Sequence, residues 1–155
     1  MAKGTEDLMM NEDEIAINLK AQIYLAAHFI PFFAKKSEET AIINVSSALG
    51  LVPLARFPIY CATKAAIHSF TISLRHQLKA TQVKIFEVLP PTVYDTELKG
   101  RPLPKSDWTV SSQEVADAIM KSLENDEKEI SLGVGKSWLT GSKRDLDQAF
   151  NSINQ

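Results

Sequence analysis

Apolar residues recur along this chain with two different periods, and each change of period marks an element. Across 15–33 they fall on nearly every side of a helix, so that segment has to be covered on more than one face. Asn11 stands ahead of it with Glu14 at capping-box spacing, and Glu12, Asp13 and Glu14 favour the positive end of its dipole. Lys35 and Lys36 suit the negative end. The run 41–46 is short and apolar, ends in Ser46 and Ser47, and reads as a buried parallel strand with hydroxyls at its carboxyl end. Helical spacing returns over 58–79 with Ile67, Phe70, Leu74 and Leu78. A second strand, 83–89, is stopped by Pro90 and Pro91. After the Pro-rich, aperiodic stretch 98–110, Ser111 and Glu114 form a capping box for a helix whose stripe is Val115, Ala118, Ile119 and Leu123. A third short strand covers 129–132, and Leu146, Ala149, Phe150 and Ile153 predict a terminal helix with Ser142 near its start.

Strands separated by helices predict an α/β unit with parallel strands ordered 41–46, 83–89, 129–132. Right-handed crossovers would put the helices after the first and second strands on the same face.

Composition narrows the class without naming a function. The chain has 155 residues, 45% of them hydrophobic and 23% charged, enough for one core. Seventeen basic against nineteen acidic residues give −2, which does not suggest nucleic acid as a partner. The single Cys61 permits no internal disulfide, fits a reducing compartment, and reads as a small buried residue. The first ten residues have no apolar signal-peptide core, and the longest apolar stretch, 21–34, is too short to span a bilayer. The expectation is a soluble cytoplasmic domain with no membrane association. No metal site is expected, because His68 and His76 stand outside any ligand cluster and read as packed or solvated. Gly133-Val134-Gly135-Lys136-Ser137 imitates the end of a phosphate loop. It fails that pattern at Ile130, where the first glycine belongs, and fails Gly-x-Gly-x-x-Gly at Trp138.

The candidate chemistry lies in Tyr60-Cys61-Ala62-Thr63-Lys64, with Ser47 thirteen residues upstream. Tyr60 and Lys64 fall on one helix face, a turn apart. Acid/base work by a phenol near neutrality needs a shift of about three units from ~10, roughly 4 kcal/mol. One ammonium at about 4 Å, at an effective dielectric near 20, supplies on the order of 4 kcal/mol. The same spacing also suits an ordinary surface helix, and the surrounding segments have to decide. Ser47 follows a strand, and in open α/β sheets ligands bind outside the carboxyl ends of the strands. Asn18, inside an apolar helix, needs hydrogen-bond partners from backbone, water or a site.

The strand-borne Ser47 and the Tyr60-x-x-x-Lys64 helix together resemble the short-chain dehydrogenase/reductase family, most nearly the bacterial branch named for D-alanine esterification of teichoic acids. The resemblance implies the second half of a Rossmann-like doubly wound parallel sheet with helices on both faces. It implies catalytic roles for Asn18, Ser47, Tyr60 and Lys64: Tyr60 exchanges the proton and Ser47 holds the reacting oxygen. Lys64 lowers the phenol pKa and binds ribose hydroxyls, and Asn18 orders a relay water. Pro90, Val93 and Thr96 match the family's Pro-Gly-x-Val-x-Thr loop and, with Tyr60 and Lys64, are the expected contacts to NAD or NADP. Pro91 replaces the glycine of that loop, and one extra residue precedes Thr96.

The whole chain, 1–155, reads as a single partial domain without the Gly-rich dinucleotide-binding half. No strand, Gly-rich turn and acidic ribose-binding residue occur in the family's order. Weak cofactor binding by the chain alone is therefore expected. Three functions remain open: a truncated or split NAD(P)-dependent oxidoreductase acting on a carbonyl or alcohol, a non-catalytic interaction module, and an inactive fragment. In the family, helices corresponding to 11–35 and 58–79 pack against a second copy. A homo-oligomer is the expected state, with a complementary chain as a further partner at the open edge of strand 41–46.

Overall fold

The computed structural model describes residues 12–96, 100 and 102–141. Its first helix, α1, is continuous through Glu12–Ile15, a π-helical segment Ala16–Lys20, and Ala21–Phe33. In the π segment the Ala21 N–H reaches back five residues to the Ala16 carbonyl. Strand β1 is Thr40–Val45, and a short 3-10 turn, Ala48–Gly50, follows it. Helix α2 is Pro58–Gln77, β2 is Val83–Leu89, β3 is Thr92–Val93 and β4 is Thr109–Val110. Helix α3, Ser112–Glu124, precedes β5, Glu129–Ser131, and α4, Val134–Gly141.

The three longer strands form one parallel sheet in the order β1-β2-β5. Ile42 is level with Ile85, Val45 with Val88, and Val88 with Ile130. β2 is central and almost wholly buried, as expected for a parallel strand covered on both faces. The expected order and direction of the strands therefore hold.

The predicted placement of the crossover helices does not hold. Ile42, Val83 and Ile85 pack with Ala26 of α1 and Leu74 of α2. Ile43, Phe86, Val88 and Ile130 pack with Val115, Ala118 and Ile119 of α3. Successive strand residues point to opposite faces, so α2 and α3 lie on opposite sides of the sheet. Both crossovers step in the same direction across it, so they have opposite hands and one departs from the right-handed rule. The connection from β2 to α3, residues 90–111, is the long one.

Local chemistry fixes most element ends as expected. Pro58 sits at the start of α2, where its missing N–H costs nothing, while Arg75 and His76 occupy its last turn. The Ser111 capping box is formed in both directions, with Ser111 N–H on Glu114 Oε2 at 2.7 Å and Glu114 N–H on Ser111 Oγ at 3.1 Å. The helix α4 was not foreseen in the glycine-containing stretch after β5. Gly133 supplies a φ of 52° at the turn, and Gly135 lies where a Cβ would meet Ser131 Oγ at 2.5 Å. Gly133 thus answers to its backbone conformation and Gly135 to packing. The Asn11 cap and the terminal helix near Ser142 lie outside the described residues. No helix among the described residues is long and apolar enough to cross a membrane.

Candidate active site

The site gathers at the carboxyl ends of β1 and β2. Ser47 continues β1 in extended conformation, and its Oγ caps the 3-10 turn by accepting from the Leu49 N–H at 3.1 Å. The same hydroxyl donates to the Pro90 carbonyl at 3.4 Å, and the Ala48 N–H donates to that carbonyl at 3.1 Å. The end of β1 is thus fastened to the loop after β2. The side chain of Ser47 is near enough to the phenol of Tyr60 to act on its titration, so the two predicted hydroxyls are neighbours.

Lys64 is buried, 8% exposed, one turn along α2 from Tyr60. Its Nζ donates to the Val45 carbonyl at 3.0 Å and lies 5.6 Å from the centroid of the Tyr60 ring. Burial pushes the Tyr60 phenol above its ordinary value, opposed by its interaction with the Ser47 side chain. Burial likewise pulls the Lys64 ammonium down, opposed by the charge of Glu14. The expectation that Lys64 lowers the phenol does not describe this state: desolvation dominates, and the ammonium is engaged with a backbone carbonyl. Cys61 is buried beside Tyr60 and its thiol is also pushed up by burial, so adjacency does not activate it.

Asn18 lies in the π segment of α1, an irregularity often found at functional sites. Its Nδ2 donates to Thr63 Oγ1 at 3.3 Å, linking α1 to α2 between Tyr60 and Lys64. Its backbone carbonyl accepts from Gln22 Nε2 at 2.7 Å. The partners Asn18 required are therefore present. Of the loop residues, Pro90 touches Ser47 directly, whereas Val93 lies in β3 and accepts from Thr96 Oγ1 at 3.0 Å. Pro91 contributes neither bond to the Ser47 loop; both fall on the Pro90 carbonyl.

Two neighbours were missed. Glu14 was read only as a helix-end charge, yet its carboxylate acts on Tyr60, Cys61 and Lys64. His68 was read as packed or solvated, yet its Nδ1 lies 2.8 Å from Oε2 of the fully buried Glu87. Its place four residues after Lys64 was a legible signal.

The geometry fits one end of a dinucleotide better than the other. The Lys64 ammonium directs one of its three donors at Val45, beside two hydroxyls and a strand-end loop. Its remaining donors suit the hydroxyls of a ribose. Among the described residues, the glycines at 133 and 135 are explained by backbone conformation and by packing, and none forms a pyrophosphate turn after a strand.

The short chain dehydrogenase family model matches residues 4–106. This chain belongs to the short-chain dehydrogenase family. It is 39% identical to the uncharacterized oxidoreductase DltE of Bacillus subtilis over 98% of its own length and 61% of the relative's. It is 32% identical to an uncharacterized oxidoreductase of Staphylococcus epidermidis over 70% of this chain and 46% of that one. Among solved structures, a short chain dehydrogenase from Burkholderia cenocepacia in complex with NADP superposes with a TM-score of 0.77 at 26% identity, covering 92% of this chain and 58% of that one. A short-chain dehydrogenase from Sphingobium yanoikuyae in complex with NADPH gives 0.68 at 27% identity, over 86% and 54%. The chain therefore spans about three fifths or less of the relatives it matches, and its sheet is the corresponding part of their Rossmann-like fold.

Proposed function

We propose that this chain carries the proton-transfer half of an NAD(P)-dependent oxidoreductase acting on a carbonyl or alcohol. The observation supporting this most directly is the neighbouring Ser47 and Tyr60 side chains at a strand end, with the buried Lys64 one helical turn away. A carbonyl oxygen entering between the two hydroxyls would take a hydrogen bond from each, stabilising the charge that develops there. With its phenol held up by burial, Tyr60 keeps its proton through the neutral range and stands ready to donate it as the oxygen becomes an alcohol. Lys64 holds ribose hydroxyls and, when its charge is released from Val45, favours the phenolate left behind. Asn18, tied to Thr63, orders the water that returns the proton. The nicotinamide cofactor, when bound, supplies or accepts the hydride. Tyr60, Lys64, Pro90, Val93 and Thr96 would line its nicotinamide end.

The remainder of the cofactor site would come from a segment equivalent to the part of the Bacillus relative that this chain does not span, whether joined to it or supplied as a complementary chain. Among the described residues β1 pairs only with β2, and beside its other edge runs a groove lined by Gln22, Leu25, Phe29, Ile43 and Val45. An unpaired apolar edge of this kind recruits another strand. The test is NADPH or NADH oxidation with a panel of small aldehydes and ketones, with that segment supplied as a separate chain. Turnover that Tyr60→Phe abolishes while cofactor affinity stays nearly unchanged, and that Lys64→Ala weakens in both respects, supports the reading. Equal affinity losses in the two variants contradict it.

A second reading, an oligomerising module, draws on the apolar side chains that α1 and α2 expose. Ile17, Tyr24, Leu25 and Phe32 on α1 and Ile72 on α2 all face outward. Light scattering at micromolar concentration should find a homo-oligomer; a cooperative, clean monomer would exclude this partner.

A further inference from the structure

Glu87 is fully buried in the middle of β2, flanked in register by Asn44 and Glu129. Its two oxygens are divided between two elements. Oε1 accepts from Ser46 Oγ at 2.5 Å, and Oε2 meets His68 Nδ1 at 2.8 Å. An apolar residue of similar volume would pack at least as well here, so stability alone does not account for a carboxylate. What the carboxylate adds is a connection. It joins Ser46, just past the end of β1 and immediately before Ser47, to the face of α2 that carries Tyr60, Lys64 and His68 at successive turns. We propose that Glu87, with Ser46 and His68, is a positioning device for the Ser47–Tyr60 pair, engaged while His68 carries its proton.

The surroundings leave His68 as the counter-charge in contact with Glu87. Lys64, one turn earlier on the same helix, is directed at the Val45 carbonyl. Arg75, one face further along α2, pairs with Glu129 of β5 at 3.2 Å and donates to the carbonyls of Ile85 and Lys128. Glu87 and Glu129 favour the imidazolium of His68, while Arg75 and burial oppose it, and the Glu87 hydrogen bond is the largest influence. When His68 loses its proton the contact loses its charge, and only a neutral Nδ1–H is left to donate to the Glu87 carboxylate. A charge-assisted hydrogen bond thereby becomes a neutral-donor one on Oε2, and the short bond from Ser46 to Oε1 of the same carboxylate readjusts with it. Ser46 is also held through its N–H to the Val88 carbonyl at 2.9 Å, so a shift of its side chain passes to the adjoining Ser47 through the backbone.

This inference rests on reading Ser47 and Tyr60 as the reacting pair, but its test needs neither cofactor nor substrate. The full chain is prepared with 15N throughout and 13C at the tyrosine ζ carbons, and followed by NMR from about pH 5 to pH 9, across the histidine range. The Tyr60 ring carbon and the Ser47 amide should inflect at the same pH as the His68 imidazole. In Ser46→Ala, His68 should still titrate while both inflections are lost, which separates the hydrogen-bond link from a field effect through space. In His68→Gln, both inflections should vanish. Flat Tyr60 and Ser47 resonances through the His68 titration would overturn the proposal, as would inflections of wild-type size in either variant. Failure of the turnover assay would leave these outcomes readable, so the two claims fall separately.

Discussion

Gly50 is where the loop after Ser47 lies against the helix that carries Tyr60 and Lys64. A Cβ at this position would stand 2.8 Å from the Lys64 carbonyl carbon, 2.9 Å from its oxygen and 3.0 Å from the Ala65 nitrogen. All three are backbone atoms of α2, so no side chain can swing aside. In Gly50→Ala the loop and helix must separate by several tenths of an ångström. Overpacking of this kind typically costs about 1–3 kcal/mol. For a chain of this size each kcal/mol corresponds to roughly 2–4 °C, so Tm should fall by about 2–12 °C. Urea unfolding followed by circular dichroism measures the cost, and the slope of the transition should remain unchanged. The same displacement would shift Ser47 relative to Tyr60, so the Tyr60 ring resonance should also move. A variant as stable as wild type, with Tyr60 unmoved, would refute the argument that this glycine is required by a close approach.

Phe86→Ala removes a ring that is 2% exposed against Val88, Ile130 and helix α3, and should cost about 3–5 kcal/mol in the same urea assay. Ser111→Ala breaks the capping box of α3 and should cost about 1 kcal/mol, with Ser111→Asp nearly neutral. The pH dependence of unfolding should carry the sign of His68. The Glu87 hydrogen bond raises its folded value, so its contribution is complete below about pH 6.5 and is lost as pH rises through the raised value. Unfolding free energy measured across that window should fall with pH in wild type and lose this component in His68→Gln. A rise with pH assigned to His68 would contradict the structure. The carboxyls of Asp95 and Glu114, pulled down by hydrogen bonds at the start of α3, act on the acid side with the opposite sign: their contribution is lost as pH falls.

Sequence patterning was a sound guide wherever a single local signal determined the outcome. The continuous apolar run of β2, the proline that opens α2 and the Ser111 capping box each carry their own physics, and their ends fall within a residue or two of expectation. The Tyr60 and Lys64 spacing likewise carried the helix face, and the strand-end position of Ser47 carried its meeting with Tyr60. Handedness was not legible in this way. The apolar stripe of α3 does not say which face of the sheet it covers, and the aperiodic 90–111 stretch carries no signal for it. Glycine roles were equally hidden, since Gly50 and Gly135 answer to neighbours far away in the chain or across a turn. The largest omission was electrostatic. Glu87 was passed over within the strand 83–89, and only the pairing of β2 between β1 and β5 makes it fully buried and obliges Ser46 and His68 to satisfy it.

Saturation-transfer NMR with NADPH and the isolated chain tests the central claim most directly, because it reads which end of a weakly held cofactor the protein touches. The account predicts that saturation passes mainly to the nicotinamide and its ribose, and that Lys64→Ala removes most of it. Tyr60→Phe should leave it largely intact. Saturation concentrated on the adenine, or a nicotinamide signal indifferent to Lys64→Ala, would contradict the assignment of this chain as the proton-transfer half.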